Sequence, residues 1–118
     1  MPFQLVTLDV PGGEVKRDNE VYVVVDNTFL QNLTVSQTTL HPGQSTQGHS
    51  HDGLDEVYIF ISGQGRMELD DALLEVKAGD MVLIPGGTFH RVHQGMDIPS
   101  KDLIFTCIFQ QYEREEDK

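Results

Sequence analysis

Turn-forming residues recur about every ten positions along this chain, and that rhythm limits the fold more than any other feature. The turn signals are "VPGG", "DN", "HPGQ", "SGQG", "LDDA", "KAGD", "PGGT" and "GMDIPS". Between them lie short runs rich in β-branched and aromatic residues: "VYVVVD", "LTVSQTTL", "EVYIFI", "RMELD", "LLEVK", "MVLIP", "FHRVHQ" and "LIFTCIF". Many short strands at even spacing imply a sandwich or barrel. No segment carries a 3.6-residue apolar period. "DALLEVKAGD" has helix-like composition, but Asp70-Asp71 reads as a hairpin turn and Gly79-Asp80 as the next one. The expected fold is all-β, with about eight or more strands.

Several runs are apolar on both faces. In "EVYIFI", Val57, Ile59 and Ile61 share one parity, while Tyr58 and Phe60 share the other. A strand buried on both sides needs a second layer, either within the chain or from a second subunit, and a homodimer is expected. The 118 residues fit a single domain over 1–118. Its first 18 or so residues, and 113–118, are expected to be peripheral, with the tail "EREEDK" frayed.

Composition removes some functions. The net charge of -11 repels phosphate backbones, so no nucleic-acid partner is expected. There is no long apolar run to span a membrane and no secretory leader pattern at the start. A single cysteine, Cys107, cannot form an internal disulfide and suits a reducing compartment, so the expected location is cytoplasmic. Cys107 reads as a small apolar filler, away from any metal motif.

Two of the five histidines are adjacent in parity. His49 and His51, in "GHSHDGLDE", would project from one face of a strand. Glu56 opens the next strand and could add an oxygen donor if the two strands pair. A third histidine, His90, follows the tight turn Pro85-Gly86-Gly87, which could aim it back into the same interior. Three imidazoles and a carboxylate, without thiolate, suit one divalent transition metal: Fe, Mn, Ni, Zn, Co or Cu. Four protein ligands on a six-coordinate ion leave two positions for a small-molecule substrate.

A wider pattern surrounds these four residues. Gly43, His49, His51, Glu56 and Gly63 resemble the first motif of the cupin superfamily in identity and spacing. Gly79, Pro85, Gly87 and His90 resemble the second. One position departs: Gln94 stands where the second motif usually has asparagine. The resemblance implies a double-stranded β-helix, or jelly-roll, barrel. It implies the same metal ligands, His49, His51, Glu56 and His90, and it agrees with a homodimer.

Other residues have weaker claims. Tyr58 shares Glu56's parity and carries a hydroxyl, so it is a candidate for proton transfer. Asp102, entering "LIFTCIF", is a candidate general base near the barrel mouth. Phe60 reads as core, His41 as structural, and His93 as an outward surface residue. Arg66 and Arg91 read as solvated. The expected activity is Lewis-acid proton transfer on a sugar or small hydroxy or keto compound, of isomerase, epimerase or lyase type. The alternatives are an iron-dependent dioxygenase and a non-catalytic small-molecule-binding barrel.

Overall fold

The structure, a computed structural model, describes residues 3–9, 11–94 and 101–111. The "GMDIPS" turn and the acidic tail lie outside these residues. Nine strands and no helix occur among them: β1 (Glu14–Asp18), β2 (Tyr22–Asn27), β3 (Leu33–Leu40), β4 (Glu56–Ser62), β5 (Gln64–Leu69), β6 (Ala72–Lys77), β7 (Met81–Ile84), β8 (His90–Gln94) and β9 (Leu103–Gln110). Six form one sheet in the order β1-β2-β3-β9-β4-β7, and three form the other in the order β6-β5-β8. The ladders are antiparallel. This is the all-β, two-sheet barrel that the strand rhythm implied, and the helix-like "DALLEVKAGD" is β6 and its turn. No helix is long and apolar enough to cross a membrane.

Period-two alternation decides which side chains enter the barrel. On β4, Glu56, Tyr58 and Phe60 are buried, while Val57 and Ile59 face the other way and are half-buried. On β9, Leu103, Phe105, Cys107 and Phe109 point inward. These strands pair Glu56 with Phe109, Tyr58 with Cys107 and Phe60 with Phe105. The interior is therefore polarised. At one end Phe60, Phe105, Leu40, Met67, Leu103 and Val92 form a sealed apolar plug. Burying side chains of this size contributes about 1.5–3 kcal/mol each. At the other end the same strands present Glu56, Tyr58 and Cys107 to a cavity.

The outer face of the larger sheet is also apolar. Met81 and Leu83 of β7 are 60% and 68% exposed, beside Ile59 and Val57 of β4 in register.

Between β4 and β5 the chain crosses from one sheet to the other in a single residue, Gly63. Gly63 has φ +88°, and an added Cβ would lie 2.5 Å from the Asp102 carbonyl oxygen. Gly79 has φ +98° but nothing within 4 Å of the added carbon. Backbone strain and collision combine at the first position, and strain acts alone at the second. Gly63→Ala is expected to cost roughly 2–4 kcal/mol, and Gly79→Ala about 1–2 kcal/mol. Urea denaturation of the two variants measures both, and equal losses would refute the steric account.

Candidate metal centre

The paired histidines reach the barrel on a segment that is extended but is not a ladder strand. Residues 41–55 join β3 to β4 and touch β8 through isolated bridges, Ser45 with His93 and His49 with His90. The His49 amide donates to the His90 carbonyl at 3.0 Å, and the His90 amide donates back at 2.9 Å. Arg91 Nε donates to the Thr46 carbonyl at 2.7 Å, which holds the segment further. From the sequence, His49 and His51 were expected on a strand, with Glu56 joining them if the two strands pair. Instead β4 pairs with β7 and β9, and the histidine segment pairs with β8. The donors meet across the barrel, from opposite sheets.

Two turns lock this arrangement. The His51 carbonyl accepts from the Gly87 amide at 2.8 Å, and Asp55 Oδ1 accepts from the Gly86 amide at 2.9 Å. A Cβ on Gly86 would come within 2.8 Å of the Leu54 nitrogen, so only glycine lets the loops approach this closely. The Pro85-Gly86-Gly87 turn thus delivers His90 to β8 and ties down the loop after His51.

The donor atoms converge. One ligand atom each from His49, His51 and Glu56 lies within 4.8 Å of the others, so the three could hold a metal ion. Glu56 faces a histidine with each oxygen: Oε1 is 3.9 Å from His51 Nε2, and Oε2 is 3.2 Å from His90 Nε2. The His49 ring centroid is 4.5 Å from those of both His51 and His90. Donors bound at about 2.0–2.2 Å to one ion lie roughly 3–4 Å from each other, which matches the Glu56 separations.

His90 supplies the sharpest test of fit. Its Nδ1 lies 3.0 Å from the Thr88 carbonyl, which can only accept, so Nδ1 carries the proton. In the neutral ring Nε2 is then a bare lone pair. It is buried, has no hydrogen-bond partner of its own, and faces a carboxylate oxygen at 3.2 Å. Two buried acceptors pointing at one another repel unless a cation lies between them, and either a proton or a metal ion meets that need. Burial pushes the His90 imidazole down, but the Glu56 carboxylate and the Thr88 carbonyl outweigh it and hold the ring above the ordinary value of 6.5.

The sign of the linkage follows. A group whose folded pKa is raised stabilises the fold fully below its unfolded value, and that stabilisation is lost as pH rises through the folded value. Protein stripped of metal by chelation should therefore lose thermal stability as pH rises above 6.5. Adding one equivalent of Zn²⁺ should flatten or reverse that trend, because the ion replaces the proton. Thermal melts across this range with and without zinc check it, and identical curves would refute it.

The donors open on a cavity of about 300 Å³ lined also by Tyr58, Tyr22, Ser36, Thr38, Cys107 and Arg17. Tyr58 is where the sequence placed it: buried, stacked on Phe105 at 5.4 Å and edge-on to His90 at 5.4 Å. Phe60 is core. Asp102 is not in the cavity lining. Its carboxylate pairs with His41 Nδ1 at 3.2 Å, so the general-base role near the mouth is withdrawn. Asp102 precedes Leu103, at the plugged end of β9, and His41 directly follows β3 there. His93 does face outward, but it is half-buried and holds Ser45 Oγ at 2.6 Å and Glu68 Oε1 at 2.5 Å. Gln94 is a clasp, accepting from the Gly43 amide at 2.6 Å and donating to the Lys101 carbonyl at 2.7 Å.

Several cavity residues have no signal in the sequence, Cys107 and Arg17 among them. Cys107 was placed away from the metal motif, yet it lines the cavity opposite Tyr58 in the β4–β9 register. Strand pairing across 49 positions brings it there, and no local pattern encodes that. Arg17 was not considered, because β1 gave no strand signal.

Comparison with known proteins agrees with the fold. The family model for the cupin domain matches residues 36–103, more than half of the chain. An uncharacterized protein of Methanocaldococcus jannaschii is 31% identical over 106 residues, covering 80% of this chain and 83% of its own. An uncharacterized conserved protein with a double-stranded β-helix domain from Klebsiella pneumoniae superposes with a TM-score of 0.74 at 20% identity, over 92% of this chain and 90% of that one. A predicted oxalate decarboxylase from Thermotoga maritima superposes with a TM-score of 0.66 at 21% identity, over 77% and 81% of the respective chains. With its strands in two packed antiparallel sheets and both histidine motifs in place, the chain belongs to the cupin family.

Proposed function

We propose that the protein is a metal-dependent enzyme that moves a proton on a small hydroxy or keto compound, in an isomerase, epimerase or lyase reaction. The observation that carries this reading is the buried confrontation of His90 Nε2 and Glu56 Oε2 beside His49 and His51. His49, His51, Glu56 and His90 would hold one divalent transition ion, which when bound would supply Lewis-acid polarisation of a substrate oxygen. His49 is exposed and His51 half-buried, so the donor cluster stays reachable from the cavity. Phe105, Phe109 and Val24 line the deeper walls and exclude water from the reacting atoms. Tyr58 is the side chain in the lining best placed to take or give a proton, with its ring against His90. The Thermotoga maritima neighbour, described as a predicted oxalate decarboxylase, lends support to the lyase form.

An iron-dependent dioxygenase is the second reading. It draws support from Cys107, a thiol in the same cavity opposite Tyr58. Oxygen uptake by iron-loaded protein separates it from proton transfer, which needs no oxygen. A barrel that only binds its ligand would show neither.

The test uses D₂O. Metal-loaded protein is incubated with a panel of small hydroxy acids, keto acids and sugars, and loss of C–H proton signals is followed by NMR. Exchange in the wild type is expected for at least one compound. His51→Ala should lower bound metal from about one equivalent to below a tenth and abolish exchange. Tyr58→Phe should keep the metal and slow exchange by about 10²–10⁴-fold. Exchange that survives loss of the metal, or that is indifferent to Tyr58→Phe, would refute these roles.

We also propose a homodimer built on the outer face of the larger sheet, supported by exposed Met81 and Leu83 beside Val57 and Ile59. Light scattering should give twice the chain mass for the wild type, and Leu83→Lys should return it to the monomer mass.

A further inference from the structure

We propose that Arg17 is the anion-binding residue of the metal cavity, and that the ligand it selects is a small carboxylic acid with a further oxygen donor. This deepens the reading above and names the substrate class. The β1–β2 ladder contains a flaw. β1 pairs with β2 in the register Glu14 with Asp26 and Val15 with Val25, and then slips, so that Arg17 meets Val24 and Asp18 meets Val23. Lys16 is the extra residue of a β-bulge. Without the slip Arg17 would oppose Val23 and share the outward side of Val15, which is 62% exposed. With it Arg17 opposes Val24, a buried inward residue, and lines the cavity with the four metal-type donors. Bulges commonly re-aim a side chain beside an active site.

Among the described residues lining that cavity, Arg17 is the one lysine or arginine. The chain has few cations to place: eight against nineteen acidic residues. Turning one inward on an edge strand, where water would solvate it outside, has a desolvation cost that an anionic ligand would offset. A divalent ion held by neutral imidazoles and Glu56 would itself keep a formal surplus of one positive charge, and Arg17 adds N–H donors beside it. An oxyanion is the complement of that surplus.

The geometry of the group narrows the class. A guanidinium is a planar fork of five N–H donors that matches a carboxylate bidentately. Arg17 gives one bond to the Lys16 carbonyl at 3.3 Å. A protein carboxylate would take at most two more donors, so a ligand still finds N–H groups. A phosphate dianion would call for several cationic side chains, and the described lining residues include one. The small cavity, at the low end for ligand sites, favours a compact acid over a large sugar. Ser36 and Thr38 on β3 and Tyr22 on β2 add polar groups to the same lining.

The experiment compares charge at constant shape. Protein loaded with Co²⁺ is titrated by calorimetry with lactate, with its neutral analogue lactamide, and with inorganic phosphate. The wild type should bind lactate at least tenfold more tightly than lactamide and more tightly than phosphate. Arg17→Gln should lose about 10–100-fold for lactate and nothing for lactamide, with cobalt content and visible spectrum unchanged. Arg17→Lys, which keeps the charge but not the fork, should fall between them. Equal binding of lactate and lactamide by the wild type, tighter binding of phosphate, or lactate affinity unmoved in Arg17→Gln would each overturn the assignment. Failure of the metal reading looks different: the wild type would take up no cobalt. The same titrations on metal-free protein then decide Arg17 alone, with the same expected and refuting outcomes. If Arg17→Gln does not fold, Arg17→Lys carries the comparison: a loss for lactate with lactamide unchanged supports the assignment, and no loss overturns it.

Discussion

The cavity end of this barrel is organised around two atoms that should not be neighbours. His90 Nε2 and Glu56 Oε2 are both acceptors, both buried, and 3.2 Å apart. Each is held there by covalent and hydrogen-bonded structure that leaves little freedom. Glu56 begins β4 and is clamped between β7 and β9. His90 begins β8, with its Nδ1 proton directed to Thr88 by the turn before it. Both backbones are fixed by these pairings, and both side chains are buried. A positive charge between them is therefore a structural requirement, and the two nearby imidazoles turn that requirement into a coordination site. The energetic consequence is that ligand binding and folding are linked: whatever cation enters stabilises the folded state by mass action.

The division of the barrel into a plug and a cavity makes this tolerable. Uncompensated polar groups in a core usually cost about 1–3 kcal/mol each. Here Glu56, His90 and Tyr58 are gathered at one end, while Phe60, Phe105, Leu40, Met67 and Leu103 close the other. The same two strands supply both, since β4 runs from Glu56 through Tyr58 to Phe60 and β9 runs antiparallel to it. One parity of one strand thus changes from chemistry to packing within four residues. The site inherits rigidity from the plug, because the strands that carry Glu56 and Tyr58 are anchored a few residues away.

Much of this was legible before any coordinates. Strand runs such as "LTVSQTTL" and "LIFTCIF" coincide with β3 and most of β9 because alternation and turn residues act locally. The candidate donors were legible because His49, His51, Glu56 and His90 sit at fixed spacings from the glycines and proline that shape their turns. Legibility failed wherever position depends on pairing between distant segments. The strand expected at His49 is an extended segment bridged to β8. Asp102 was expected at the mouth, but β9 enters from the plugged end, where Asp102 meets His41. Cys107 looked remote from the motif and lies opposite Tyr58. None of these has a local signature.

Arg17 is the most instructive of the failures, because correct alternation would have misplaced it. In "EVKRD" the period-two rule puts Val15 and Arg17 on the same side, and Val15 is outside. One extra residue in the ladder reverses the face of everything that follows it. The edge of a sheet is where such an insertion is cheapest, since β1 has a ladder partner on one side only and the bulge disturbs a single row of hydrogen bonds. Glu56, by contrast, lies on β4 between two ladder partners, and the histidines are tied by the His49–His90 bridge and by the Gly87 amide on the His51 carbonyl. The barrel therefore separates what it must keep from what it can vary. The cation-holding donors are fixed by packing, and a residue that could read the ligand's charge sits on the element most free to change.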